Sequence, residues 1–218
     1  MSTANSPSPE LRTLVVASGN PKKRLEMERL LSGLAIELRS IREFPDITEP
    51  EENGETFLDN AQSKALEYAQ ATGQWCVADD SGLVVDALAG APGVHSARYA
   101  ADEVADPAGR DIIDGANNAK LLRELAQRDA EQRTARFVCC VVLASPTEVL
   151  FHSQESTEGS ILTSPQGDGG FGYDPLFFSH DLQQCFAVAT AAQKDSVSHR
   201  GRALKKLATF LSRRQPSP

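Results

Sequence analysis

Hydrophobic residues recur along this chain in two rhythms, one helical and one extended, and their succession predicts an α/β fold. Residues 11–17 are mostly apolar and predict a first strand near the centre of a sheet. Ser18-Gly19-Asn20 follows as a tight connection, and Asn20 before Pro21 has the pattern of an N-cap with proline at the first helical position. Leu25, Met27, Leu30, Leu31 and Leu34 then give a helix one broad apolar side, and residues 35–40 read as extended. A second helix is expected from Thr56 to about Thr72. Thr56 and Asp59 have capping-box spacing, and Gly73 is placed to cap the far end. Phe57, Ala61, Ala65 and Tyr68 form its packing side, while Asn60 and Lys64, four apart, share another.

Residues 75–78 read as the next strand, ending directly at Asp79-Asp80, with a separate short element over 83–88 and a turn at Gly90-Ala91-Pro92-Gly93. Residues 112–126 contain a helix in which Asn118, Leu121, Leu122 and Leu125 recur at helical spacing. The strongest strand signal covers 134–144; it pairs with 149–158 across the turn Ser145-Pro146-Thr147-Glu148. Residues 166–172 are glycine-rich and irregular. A last helix is expected to start near Ser196 or Ser198 and to turn Leu204, Leu207 and Leu211 inward. A hairpin beside parallel-type connections implies a mixed sheet. The organisation expected is a flexible tail over 1–10, one domain over 11–213 and a short tail over 214–218.

Composition narrows the function. Apolar residues make up 40% of the 218, enough for a substantial core. No run is long enough to cross a bilayer, and residues 1–10 lack the basic-then-apolar order of a signal peptide, so a soluble cytoplasmic protein is expected, without a membrane partner. Cys76, Cys139, Cys140 and Cys185 lack metal-ligand spacing and read as buried free thiols. A net charge of −8 repels a nucleic-acid backbone, yet a few cations clustered in a cleft can still hold a small anion.

Three groups of residues point to such an anion. Lys22, Lys23 and Arg24 open a helix, where cations oppose the dipole unless a phosphate shares the site; free N–H groups and the Ser18 hydroxyl add donors. The bland alternative is a solvated patch, and the phosphate-binding Gly-x-x-x-x-Gly-Lys pattern is absent. Glu51, Glu52, Asp79 and Asp80 supply hard oxygen ligands suited to Mg²⁺, although Asp79 and Asp80 could equally cap a turn with Ser81-Gly82. In Gly167 to Pro175, glycines let the backbone approach a ligand, Phe171 and Tyr173 can flank a base, and Asp174 is held extended by its proline; packing of both rings in the core is the other reading. Lys194 or Arg200 as a donor to a purine O6 favours hypoxanthine or xanthine over adenine. His199 taken alone reads as a surface histidine at a helix end.

Together these segments resemble the inosine triphosphate pyrophosphatase family. The resemblance is carried by Ser18-Gly19-Asn20 with Lys23, Glu52-x-Gly54-x-Thr56-Phe57, Asn60-Ala61 with Lys64, and Ala78-Asp79-Asp80-Ser81-Gly82-Leu83. It continues through Gly90 to Gly93, Ser96-Ala97-Arg98-Tyr99, Asn117-Asn118, Ala135-Arg136-Phe137, Gly169 to Pro175 and Ser198-His199-Arg200-Gly201, spanning about residues 12–211. It implies an elongated central mixed sheet with flanking helices, two lobes around a cleft, and a homodimer. It also implies Mg²⁺-dependent hydrolysis of ITP, dITP or XTP to the monophosphate and pyrophosphate. Asn20, Lys23 and Lys64 match phosphate contacts; Glu52 and Asp80 match metal and catalytic carboxylates, with Asp79 nearby. Phe171, Tyr173, Asp174, Lys194, His199 and Arg200 match residues around the base, and Ser18 and Ser81 complete the expected substrate contacts. Val188 and Gln166 depart from the family pattern, standing where a glutamate and an arginine are frequent. Competing readings are a pyrophosphatase for modified pyrimidine nucleotides and a nucleotide sensor without turnover.

Overall fold

The computed structural model describes residues 12–105 and 109–214. Its strands are β1 Arg12–Val16, β2 Ile36–Ser40, β3 Trp75–Val85, β4 Thr134–Ala144, β5 Val149–Ile161, β6 Phe177–Ser179 and β7 Gln184–Cys185. Its helices are α1 Pro21–Leu31, α2 Phe57–Thr72, α3 Arg110–Glu124, α4 Ala191–Val197 and α5 His199–Arg213. All seven strands join one sheet in the order β2-β1-β3-β4-β5-β6-β7. β1 runs parallel to β2 and β3, and the remaining pairs are antiparallel, which makes the sheet mixed as expected.

The local signals that start and stop helices act as anticipated. Asn20 Oδ1 accepts the N–H groups of Lys22 (2.9 Å) and Lys23 (3.4 Å) ahead of Pro21. Thr56 and Asp59 form a reciprocal capping box, and Gly73 closes α2 at φ +67°, a conformation that carries no penalty without a Cβ. Strand alternation sorts the core into two faces. On one, Leu14, Val16, Val77, Cys139 and Val141 pack against Met27 and Leu31 of α1 and Leu204, Leu207 and Leu211 of α5. On the other, Val15, Ala17, Cys76, Ala78, Cys140 and Val142 pack against Ala61, Ala65, Tyr68 and Ala69 of α2. A third cluster gathers Leu83, Val85, Phe137 and Ile161 with Leu121, Tyr173 and Phe177.

Several expectations need correction. β3 does not stop at the acid pair but continues through Asp79 and Asp80 to Val85. The reason is its partner: β4 pairs with it from Cys76↔Ala144 to Val85↔Ala135, satisfying the backbone across the polar residues. The expected element over 83–88 is therefore the end of that strand plus one 3₁₀ turn, Asp86–Leu88. On α1, Leu25 is 53% exposed, and Glu26 takes a buried place beside Met27. α4 was not anticipated, although Thr190 and Gln193 form a capping box at its start. β6 and β7 are too short to leave a periodic signal. The four cysteines are free and buried, as expected. No helix among the described residues is long and apolar enough to cross a membrane. Residues 1–10 and 215–218 of the expected tails lie outside the described residues, whereas Arg214 directly follows α5 and donates its N–H to Leu211 (3.1 Å).

Candidate active site

A cleft of about 1140 Å³ is lined by residues from β3, β4, all five helices and the loops between them. The loop between β1 and α1 contributes Ser18 and Asn20, and the first turn of α1 contributes Lys23; α2 contributes Lys64, and Glu52 comes from the segment before it. β3 adds Asp80 and Ser81, the glycine loop adds Phe171, Tyr173 and Asp174, and the last two helices add Lys194, His199 and Arg200. The residues singled out from the sequence as catalytic, metal or substrate contacts line this one cavity, except Asp79 and Glu51, which is exposed and accepts a bond from Asn53 Nδ2 (2.7 Å).

Asp79 is the buried exception among the acids. Because side chains alternate along β3, Asp79 falls on the Val77 face and Asp80 on the Ala78 face. Asp79 is 1% exposed and its Oδ2 is paired with Lys23 Nζ (3.1 Å) and Arg200 Nη2 (3.0 Å). Burial by itself raises its pKa, but the field of Lys23, Arg200 and Lys64 prevails and holds the carboxyl well below the usual range. The same field steadies Oδ1, which is buried without a hydrogen-bond partner. Asp79 is thus an anchor for two cations.

Asp80, equally inaccessible at 7% exposure, is treated differently. Its Oδ2 accepts Asn60 Nδ2 (2.9 Å) and its Oδ1 accepts the Ser81 N–H (2.9 Å). Asn60 is itself fixed, since its Oδ1 accepts the Gly54 N–H (2.7 Å). Burial dominates here; Lys23 and the Asn60 bond pull the pKa down and Glu52 pushes it up, leaving it above the ordinary value. A buried carboxylate in that condition gains from any cation that enters the cleft. Lys64 ion-pairs with Glu52 Oε1, while Glu52 Oε2 has Arg98 Nη1 at 3.9 Å. Burial works to raise Glu52 and to lower Lys64, yet their mutual attraction outweighs it, so both remain charged.

The opposite end of the cleft is held by a chain of buried charges. Arg200 Nη1 donates to Glu26 Oε2 (2.6 Å) and Nη2 to Ser81 Oγ (2.8 Å). Lys194 Nζ donates to Glu26 Oε1 (3.3 Å) and Asp174 Oδ2 (2.6 Å). Asp174 Oδ2 also accepts the Phe171 N–H (2.8 Å), and Lys194 Nζ lies 4.7 Å above the Phe171 ring. Tyr173 donates its hydroxyl to the Ser96 carbonyl (2.9 Å) with its ring in the core. The two aromatics therefore divide the roles that the sequence left open: Tyr173 is mainly packing, Phe171 faces the cations.

His199 also departs from expectation. It is 4% exposed and stacked on Phe137 at 4.8 Å, not a surface histidine. Burial first, then Arg200 and Lys194, lowers its pKa well below the ordinary value, so its ring is neutral. The cation cluster opening α1 is likewise divided: Lys23 joins the buried ion pairs, Lys22 lines the cleft while paired with Asp111 (3.7 Å), and Arg24 pairs with Glu28 (3.0 Å) away from it. Val188 is 55% exposed and Gln166 is exposed, and neither lines the cleft. Glu26, the acid that joins Lys194 to Arg200, was missed. The available signal was its place one turn beyond Lys23 on the stripe that carries Met27 and Leu30.

This arrangement has counterparts among known proteins. Residues 14–210 match the sequence profile of the Ham1 family. The chain is 48% identical over 200 residues to the dITP/XTP pyrophosphatase of Desulforamulus reducens, covering 92% of this chain and 96% of that one. It is 48% identical over 198 residues to the dITP/XTP pyrophosphatase of Geobacter sulfurreducens, covering 91% and 96%. Its fold is similar to the structure of a HAM1 protein from Coxiella burnetii, with a TM-score of 0.81 and 37% identity over 93% of this chain and 100% of that one. With the matched span running from within β1 to within α5 and enclosing the whole acid, lysine and glycine-loop set, the chain belongs to the Ham1 family.

Proposed function

We propose that this protein hydrolyses deaminated purine nucleoside triphosphates (ITP, dITP and XTP) to the monophosphate and pyrophosphate. The observation that carries this reading is Asp80: a buried acid with a raised pKa, facing a cleft that also holds Lys64 and the cation-capped glycine loop. Its pKa is moved towards that of a useful general base. In the reaction, Asp80 takes a proton from water as the oxygen attacks the α-phosphorus. The bond from that phosphorus to the bridging oxygen breaks, and pyrophosphate leaves. Lys64 and Lys23 stabilise the charge that grows on it.

Mg²⁺ is the cofactor in this reading, and Glu52 and Asp80 would hold it. Among the described residues no group of three or more acidic, histidine or cysteine side chains could hold a metal ion. That donor set suits Mg²⁺, which is usually bound by one or two carboxylates plus substrate phosphates. When bound, the ion supplies further charge stabilisation at the phosphates.

At the base end, donor counting separates two cations. Arg200 directs Nε and Nη2 to Asp79, Nη2 also to Ser81, and Nη1 to Glu26, so most of its donors are committed. Lys194 has three donors, with bonds to Asp174 and Glu26, and its remaining N–H is the better match for a purine O6. Adenine, which presents a donor at that position, leaves that remaining N–H without an acceptor. The remaining expectations stand as part of this proposal: one two-lobed domain over 11–213, a homodimer, and a cytoplasmic location.

The test is pyrophosphate release with and without Mg²⁺ from ITP, dITP, XTP, dGTP and ATP, with a modified pyrimidine triphosphate alongside. Release is expected with Mg²⁺ and faster from the first three. Preference for the pyrimidine, or tight binding of dITP without release, would replace this reading with one of its rivals.

A further inference from the structure

Asn117-Asn118 is among the motifs that the proposed chemistry leaves without a task. In the structure these residues and Asp114 form one face of α3 turned towards the glycine loop. Asn117 Oδ1 accepts the Ala100 N–H (2.8 Å), and its Nδ2 donates to the Ser96 carbonyl (3.3 Å), the same carbonyl that receives the Tyr173 hydroxyl. Asp114 and Asn118 reach the loop itself. The Gly172 N–H donates to Asp114 Oδ2 (3.0 Å), and Asn118 Nδ2 donates to the Gly172 carbonyl (2.9 Å). One helix thus grips both ends of a single residue from positions 58 and 54 places away in sequence.

Gly172 separates Phe171 from Tyr173 and adopts φ +61°. Without a side chain its backbone has wide freedom, and a Cβ built on it meets nothing within 4 Å, so packing does not fix it. Its orientation has to be imposed through its own N–H and C=O groups. Asp114 is buried and braced, with Arg110 Nε 3.1 Å from its Oδ1.

We propose that Asp114 and Asn118 are positioning residues for substrate selection, orienting the Gly172 peptide so that Phe171 is set for the base. The proposal rests on the functional reading above and assigns it a specificity device on α3, from which Asp114 also lines the cleft. Losing either grip lets the loop sample other conformations before substrate arrives, and re-ordering it weakens binding. Substrate and transition state lose that binding alike, so KM rises while kcat holds. A base that engages the ordered loop bears this re-ordering cost and one that binds without ordering the loop does not, so the gap between them narrows.

The experiment compares D114A, D114N and N118A with the wild type on dITP and dGTP. N118A and D114A are expected to raise KM for dITP about tenfold, with kcat within about twofold, and to narrow the dITP-to-dGTP ratio of kcat/KM. D114N keeps an acceptor for the Gly172 N–H and is expected to stay nearer the wild type than D114A. Unchanged KM and unchanged selectivity in folded D114A and N118A would overturn the proposal, as would an equal fall in kcat for both substrates. If N118A does not fold, equal values for D114A and D114N overturn it, and the expected gap between them supports it. A wild-type enzyme inactive on dITP defeats the underlying functional reading instead, which is a separate outcome.

Discussion

Asp79 and Asp80 are chain neighbours on one strand, and both are almost inaccessible, yet their surroundings have opposite consequences. Asp79 meets two cations, one from α1 and one from α5, and is stabilised as an anion. Asp80 meets an amide and a backbone N–H, has no ion pair among the described residues, and is disfavoured as an anion. Burial is common to both, so it does not decide between them; the number of compensating charges does. The pleat of the strand assigns each acid to its side. One then holds cations in place for the site, and the other is left reactive within it.

The sharpest way to break this contrast is D80N. It is expected to lower kcat by about 10²–10⁴-fold, the usual worth of a general base, with little change in melting temperature, because the charge cost it removes is offset by one of the two N–H groups losing its acceptor. The sign of that charge cost follows from linkage: an acid whose folded pKa is raised favours the folded state at low pH and disfavours it once ionised, so an uncharged amide removes a cost. Near-normal turnover in steady-state assays would remove Asp80 from its role. D79N should do the reverse, costing roughly 3–5 kcal/mol of stability because Lys23 and Arg200 lose their shared anion. A urea midpoint equal to that of the wild type would end the claim that Asp79 is structural.

K64A comes next. Turnover is expected to fall by about 10²–10³-fold, comparable to losing a preorganised donor to developing charge. A change confined to KM would instead assign Lys64 to ground-state binding. The mildest effect is on pH dependence. Asp79 and Glu26 have lowered folded pKa values, so their stabilisation is complete above the ordinary carboxylate value of about 4 and is lost as pH falls through the lower, folded one. Activity should decline at a higher pH than that, because Asp80 must be ionised and its pKa is raised. Urea midpoints and kcat/KM measured across the same acidic series should therefore separate, leaving a range where the protein is folded but slow. Coincident curves would mean that the two acids titrate alike.

The candidate site was largely legible because its parts lie beside strong local punctuation. Asn20 is a helix cap, Asp80 ends an apolar run, and Phe171 to Asp174 follow a glycine cluster, so each could be found within a few residues of a turn signal. The cation cluster at α1 was legible as charge but not as direction, and only Lys23 enters the ion-pair network. His199 was misjudged and Glu26 overlooked for one reason. A polar residue on a short segment reads as exposed unless its partners are known, and theirs lie on other elements.

The sequence by itself determined where helices begin and end, which strands form the hairpin, and which short segments could carry acids, lysines and a base-binding loop. Caps, turns and apolar periods act over a few residues, so no distant part of the chain is needed to read them. Tertiary structure alone decided that β3 runs on through its acids, because that depends on having β4 alongside. It also decided that Asp79 is neutralised by Arg200, 121 residues later, and that α3 grips Gly172. A buried charge or a free glycine takes its role from whatever folds against it, and that partner is set by topology.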